Sequence, residues 1–507
     1  MHVKNPCLLV VACVLALIPF CAFAEDSADS LPLLHPLFSD HGVLQRELPA
    51  PIWGWDEPGE EVTVTFGDQT HTAVADGDGK WMVSLTPLPA SAEGRDLTVA
   101  GSGSTVIRED VLVGDVWIGS GQSNMQWSVS QSDNPDEEIA NAEHPMIRLF
   151  TVPRGVAYEP AALVSAQWEI CSPETIAGFS AVAYYFSREL HHELEVPIGL
   201  IHSSWGGTIA EAWTSAEALE ALPDFSPHAE QMKILQSMAP GTTRDEAIES
   251  WHRQIKPGGN GNWRNDPNVG AVLYNAMIAP LLPYAIQGVI WYQGESNAGR
   301  AHQYRTLLPA LIEDWRERFG AGDFGFHIVS LANYQDTSAE PRDHSWAELR
   351  EAQAMTAQAL PNTGIAMAID IGEAGDIHPG NKQEVGHRLA LSALAHSYGS
   401  DVEWSGPWYR AMRVRGNEIR LVFDHAGGGL IARGDKLIGF AIAGEDRKFV
   451  WADAEIRANM VIVSSPEVEN PVAVRYAWDI NPDGNLYNIA GLPAVPFRTD
   501  DWPMITQ

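Results

Sequence analysis

The chain has 507 residues, 45% of them hydrophobic, and its 66 acidic against 32 basic side chains leave a formal charge of −34. Such acidity excludes nucleic acid and anionic membranes as general partners, and the apolar fraction excludes a disordered chain. The length fits two or three domains at roughly 100–200 residues each.

Lys4 precedes an apolar run from Cys7 to Phe20, and Ala22-Phe23-Ala24 stands before Glu25-Asp26. That order is a secretory leader, with cleavage expected after Ala24 and a secreted or periplasmic product. The run is too short to span a bilayer, and Pro19-Phe20 disfavour lipid attachment at Cys21. Three of the four cysteines leave with residues 1–24. Cys171 alone remains, so no internal disulfide and no multi-cysteine metal site is expected.

Residues 25–110 alternate polar and apolar positions in short runs. "EVTVTFG", "HTAVADGDGKWMVSL" and "RDLTVAG" read as strands, punctuated by turns such as Asp76-Gly77-Asp78-Gly79, and the spacing predicts a small β-sandwich. From 111 to 398 strand and helix signals alternate. The predicted strands are 115–119, 197–203, 286–293, 324–332 and 363–371; the helical periods include "SAVAYYFSRELHHEL", "HQYRTLLPALIEDWRERF", "WAELREAQAMTAQAL" and "NKQEVGHRLALSALAHSY". This rhythm predicts an α/β domain, a five-stranded parallel sheet with helices on both faces. The polar stretch 216–269, with "KPGGNGNW", fits no unit and reads as an insertion or lid. After Gly399 the helices stop, and 399–507 reads as a second β-rich region, taken as a structural sandwich in preference to a glycan-binding module. Core packing likewise accounts for most of the 18 Trp and 12 Tyr, although such residues also suit contact with sugars.

In an open α/β sheet, ligands bind beyond the carboxyl ends of the strands. The polar clusters "GSGQSNM", "HSSWGGTIAEAW", "YQGESNAG" and "GEAGDIHPGNK" all follow predicted strands. Nucleophilic acyl transfer needs a hydroxyl, a base, an acid that orients the base, and donors for an oxyanion. Ser123, between a strand and a predicted helix, is the candidate nucleophile. His378 is the candidate base. Asp376, two residues earlier, reaches the same side if the segment is extended. Gly207 offers a backbone N–H, Gln293 and Asn297 offer side-chain amides, and Glu295 reads as a hydrogen-bond acceptor beneath them. No HExxH and no histidine ligand spacing occur, so neither a metal nor another cofactor is expected.

Five stretches, "SGQSNMQW", "SWGGTIAEAW", "IWYQGESNA", "LREAQ" and "DIHPGNKQEVGHRLA", with the opening "LFSDHGVLQR", resemble the sialate O-acetylesterase family of the SGNH hydrolases. The resemblance covers most of the mature chain. It implies an SGNH-type, flavodoxin-like sheet and a secreted serine carbohydrate esterase acting on O-acetylated sugars. It assigns Ser123 as nucleophile, His378 as base, Asp376 as orienting acid, and Gly207 and Gln293 as oxyanion donors beside the Ser123 N–H. Two departures leave alternatives open. The superfamily's Asp-x-x-His is here Asp-x-His, so Glu373 or Asp370 can replace Asp376, and the third-block Asn falls in "GESN", so Asn297 can replace Gln293. Acetylated xylan or xyloglucan is an alternative substrate to sialic acid, and a non-catalytic glycan-binding protein is the reading from another class. A sialate carboxylate calls for a cation. Arg350 in "LREAQ" is the candidate, as substrate ligand or as brace; Lys382 and Arg388 are the other cations within the strand-end motifs. This scarcity favours a neutral glycan.

Overall fold

The structure, a computed structural model, describes residues 31–237 and 266–507. The predicted leader and the "KPGGNGNW" part of the expected insertion lie outside these residues.

One strand organises the fold. Thr105–Gly121 is half-exposed and alternating up to Asp110, then continuously buried from Val111 to Gly121. The sequence shows why: TVIRED alternates, whereas VLVGDVWIGSG is apolar or small apart from Asp115, as a strand covered on both faces must be. Its first part pairs antiparallel with Ser91–Ala100, which pairs in turn with Glu61–Phe66 and so with Gln69–Val74. Ala50–Trp55 and Lys80–Leu85 form a separate antiparallel pair, and Asp76 caps its turn by accepting from the backbone of Asp78 and Lys80.

The second part of the strand enters the parallel sheet. The spatial order is Thr363–Ala366, Gly325–Val329, Gly288–Tyr292, Thr105–Gly121, Ile198–Ser204, His144–Thr151 and Trp168–Cys171. All five predicted strands are present and mutually parallel. The parallel sheet has six strands, however, because His144–Thr151 adds beside Ile198–Ser204, and an antiparallel edge, Trp168–Cys171, closes that side. "HPMIRLFT" escaped the sequence reading because its burial begins only at Ile147, so it lacks the long apolar run of its neighbours. Cys171 on the edge strand is buried and unpaired, and burial pushes its thiol up to about 12.

Alternation along each strand divides the core. Val116, Ile118, Val289 and Trp291 face one side with the helices Ala301–Phe319 and Ser345–Ala359; Trp117, Ile290 and Tyr292 face the other with Ala181–Leu194 and Lys382–His396. A Cβ on Gly386 would stand 2.5 Å from Tyr185 Cβ, so this glycine sets the close crossing of the second helix pair. After residue 400 the chain forms a four-stranded antiparallel sheet (Trp408–Arg415, Glu418–Asp424, Met460–Ser464, Asp453–Arg457), another built on Phe440–Ala443 and Ala473–Tyr476, and a third core. No helix among the described residues is long and apolar enough to cross a membrane.

The N-terminal strands are locked to the parallel sheet through Asp115. Its buried carboxylate takes two hydrogen bonds from Arg46, at 2.8 and 3.0 Å, one from Gln45 and one from the Tyr398 hydroxyl at 2.9 Å. Asp115→Ala strands the Arg46 guanidinium and is expected to cost about 3–5 kcal/mol, read as a lower denaturant midpoint. The Arg46→Ala/Asp115→Ala double variant is expected to lose clearly less than the sum of the single losses.

Candidate active site

Gly119-Ser120-Gly121 ends the central strand by close approach. Gly121 sits at φ +134, and a Cβ there would stand 2.2 Å from the Tyr292 carbonyl oxygen of the neighbouring strand. That oxygen accepts from the Gln122 N–H at 2.9 Å, and the chain turns at once into Ser123–Gln126, a single helical turn. A turn this short carries little macrodipole, so individual N–H groups rather than a helix field are on offer. The loop after Ile198–Ser204 folds over the serine. Trp205 N–H donates to Gly121 O at 3.1 Å, Gly206 N–H donates to Gln126 Oε1 at 2.8 Å, and a Cβ on Gly206 would meet Ser123 Cβ at 3.1 Å. Gly207 follows at φ +75, which a side chain would strain.

His378 stands on the facing loop. Its imidazole stacks on Trp127, centroids 4.7 Å apart and planes 8° apart, and the Trp127 indole is pinned by donation to Gln131 O at 2.7 Å. Asp376 accepts the His378 backbone N–H at 2.8 Å, and the same oxygen lies 3.5 Å from Nδ1. Residues 371–380 are turns and bends with one isolated bridge between Glu373 and Asp376, so the acid arrives through an Asx turn and not through the extended alternation expected from the sequence. The imidazole is one-quarter exposed and the carboxylate half-exposed.

Beneath the two loops lies a buried polar array. Asn124 donates to Ile377 O at 3.1 Å and to Glu295 Oε1 at 2.7 Å, while its own Oδ1 accepts from Lys382 Nζ at 2.5 Å. The residue after the serine is thereby fastened to the residue before the histidine. Burial brings the Lys382 ammonium down to about 7 and raises Glu295. Burial also lowers His378; Asp376 opposes this shift and the Lys382 charge adds to it.

The remaining expected residues separate into two groups. Gln293 and Asn297 lie on this rim, but the Gln293 amide is fully committed and that of Asn297 partly so. Gln293 Nε2 donates to Thr208 O at 3.1 Å and Asn297 Oδ1 at 2.7 Å, which uses both its N–H bonds, and its Oε1 accepts from Tyr304. Asn297 Oδ1 also accepts from Ala210 N, and its Nδ2 donates to Glu211, which is ion-paired with Arg300. Gln293 therefore braces the Gly207–Ala210 loop in place of offering the free donor expected of it. Arg350 leaves the site altogether. It is 1% exposed, and its guanidinium donates to the carbonyls of Leu331, Ala332, Asp479 and Ile480. The expectation that it binds substrate is corrected: it is a brace to the C-terminal region, and burial brings it down to about 9.

Of the alternative acids, Asp370 is held by both Arg388 nitrogens and the Tyr487 hydroxyl, and Glu373 accepts from Gly380 N. No group of three or more potential metal ligands occurs among the described residues. Trp127, Asn124 and Lys382 were missed as site residues; proximity to Ser123 and His378 within the motifs was their only sequence signal. Arg154, exposed, lies 5.6 Å over the Trp205 ring, in a segment where the sequence offered none.

With these neighbours, the His378 imidazole has a signed response. In proton NMR titration Lys382→Met is expected to raise its pKa, by removing a like charge, and Asp376→Asn to lower it. Shifts of the same sign would contradict the arrangement.

The profile described as carbohydrate esterase, sialic acid-specific acetylesterase, matches residues 239–395. Sialate O-acetylesterase of Homo sapiens is 32% identical over 526 residues, 95% of each chain, and that of Mus musculus is 32% identical over 505 residues, 90% of this chain and 92% of that one. A solved carbohydrate acetylesterase from Xanthomonas citri is 38% identical and aligns with a TM-score of 0.81 over 92% of this chain and 99% of that one. On identity at this level over nearly its whole length, the chain belongs to the sialate O-acetylesterase family.

Proposed function

We propose that this protein is a secreted carbohydrate O-acetylesterase that works by two-step acyl transfer through Ser123. The observation that carries this reading is the convergence of the Ser123 turn, the Gly206-Gly207 loop and the Trp127-stacked His378 at the strand ends. His378 accepts the Ser123 Oγ proton as Oγ attacks the acetyl carbonyl carbon. The N–H groups of Ser123 and Gly207 receive the oxyanion, with Gln293 and Asn297 holding the loop that carries Gly207. Collapse expels the sugar oxygen, which takes the proton from His378. Water, deprotonated by His378, then cleaves the acetyl-serine and releases acetate. Asp376 orients the imidazole and offsets its positive charge. Its 3.5 Å approach to Nδ1 is loose, as such contacts often are before substrate binds.

A neutral glycan, such as acetylated xylan or xyloglucan, is the second reading. The burial of Arg350 favours it, since that removes the motif cation from reach of a carboxylate. If the enzyme reads sialic acid, Arg154 is the exposed cation beside the serine loop that would meet the carboxylate.

Ser123→Ala is expected to fold normally and to lose essentially all hydrolysis of 4-nitrophenyl acetate. Asp376→Asn is expected to cost about 10²–10⁴-fold in kcat and Glu373→Gln much less, measured on the same ester. Arg154→Ala is expected to lower kcat/KM for O-acetylated sialic acid while sparing acetylated xylo-oligosaccharides; equal effects on both would remove Arg154 from substrate discrimination.

A further inference from the structure

A cleft outside the serine site lies between the loop 334–343 and the C-terminal strands. It has two adjoining lobes of about 160 and 290 Å³ that share Gly439, Trp451, Trp478 and Asp479. Trp451 is 45% exposed and its indole N–H is held by Ala339 O at 2.7 Å, so the ring is presented in a fixed pose. Trp478 lines both lobes, is 8% exposed and is flanked by Arg475 and Arg498; its buried indole N–H has no acceptor among the described residues. A buried donor without a partner is uncommon in a folded protein. Ile438, 41% exposed, and Phe449 extend the apolar wall.

Most charged groups of the cleft are already matched; among the described residues Arg447 and Asp483 lack an ion pair, and Arg447 lies 5.4 Å over the Trp502 ring. Arg342 pairs with Asp479, Arg475 with Asp343 and Asp500, and Lys436 with Asp453. The lobes thus combine a fixed aromatic face with mostly neutralised charge, and the Trp478 ring in their shared wall carries an unmet N–H. A pyranose ring fits that combination, with an apolar C–H face for the indole and hydroxyl or ring oxygens as acceptors. A free carboxylate or phosphate fits it less well, because the one lining cation without an ion pair among the described residues, Arg447, borders only the smaller lobe and already lies over the Trp502 ring.

The cleft is also tied to the serine site. Asn481, which lines the larger lobe, accepts from Asn333 Nδ2 at 2.9 Å, and Asn333 Oδ1 accepts from Gly372 N at 2.7 Å. Six residues of chain, at most about 22 Å, separate Gly372 from His378. Both sites therefore stand within reach of one oligosaccharide.

We infer that this cleft is a glycan subsite that binds an uncharged pyranose of the chain whose acetyl groups the serine site removes. The binding part stands apart from the esterase reading; only the link to acetyl removal rests on it. Calorimetry on full-length Ser123→Ala, with xylohexaose, cellohexaose, xyloglucan heptasaccharide and α2,3-sialyllactose as probes, tests it. Saturable binding of at least one neutral probe is expected, weakened tenfold or more by Trp451→Ala and several-fold by Trp478→Phe. No binding of a neutral probe, binding of sialyllactose alone, or binding indifferent to both tryptophans overturns the proposal. Trp451→Ala with Ser123 intact is expected to match the parent on 4-nitrophenyl acetate, which reports folding and the serine site independently. The same variant is expected to show a raised KM on acetylated polysaccharide.

Discussion

The site depends on one close approach. The Tyr292 carbonyl occupies the space where a side chain at position 121 would stand and takes the Gln122 N–H instead. Only glycine permits both, since its φ of +134 and missing Cβ are needed together. The chain therefore leaves the sheet where strand order reverses, between neighbours that connect in opposite directions. Ser123 is set in the crevice that every open α/β sheet forms at that point. Gly206 makes a second close approach from the other side, where a Cβ would meet Ser123 Cβ at 3.1 Å, and so lets the loop carrying Gly207 fold over the serine turn.

Rigidity beneath that crevice comes from polar groups that are expensive to bury. Asn124 gives its carbonyl to Lys382 and its amide to Glu295 and Ile377. Burial drives the lysine and the glutamate towards their neutral forms, so the array tolerates a dry setting in which two full charges would be costly. Its consequence is positional: the serine turn and the histidine loop cannot drift apart without breaking it.

The C-terminal strands belong to the same mechanical unit. Arg350 spends its donors on carbonyls of residues 331–332, just past a strand of the parallel sheet, and of residues 479–480, and Asn481 continues the connection to the loop beside His378. A guanidinium satisfied wholly by carbonyls cannot serve as a ligand anchor, and this distinguishes its role from that of Arg154, which keeps an exposed face. The three cores are linked by buried polar clamps, Asp115 on one side and Arg350 on the other.

Strand rhythm, helix periods and the shift to β-structure after Gly399 were legible in the amino-acid sequence because they depend on local alternation and apolar run length. The placing of Ser123, Gly207, Gln293 and His378 on one rim followed from the rule that polar clusters after parallel strands converge. The sequence by itself determined five of the parallel strands, the four helices that cover them and the loops that follow the strand ends. Tertiary structure decided what distance along the chain conceals: the sixth parallel strand, whose burial comes from neighbours; the Asx turn that brings Asp376 to His378; and the stacking of Trp127, 251 positions from its partner. It also decided which amides and guanidinium groups were already used. A side chain's donors are allotted by whatever lies within about 3 Å of it, and for Gln293 and Arg350 those partners come from loops that no local pattern connects.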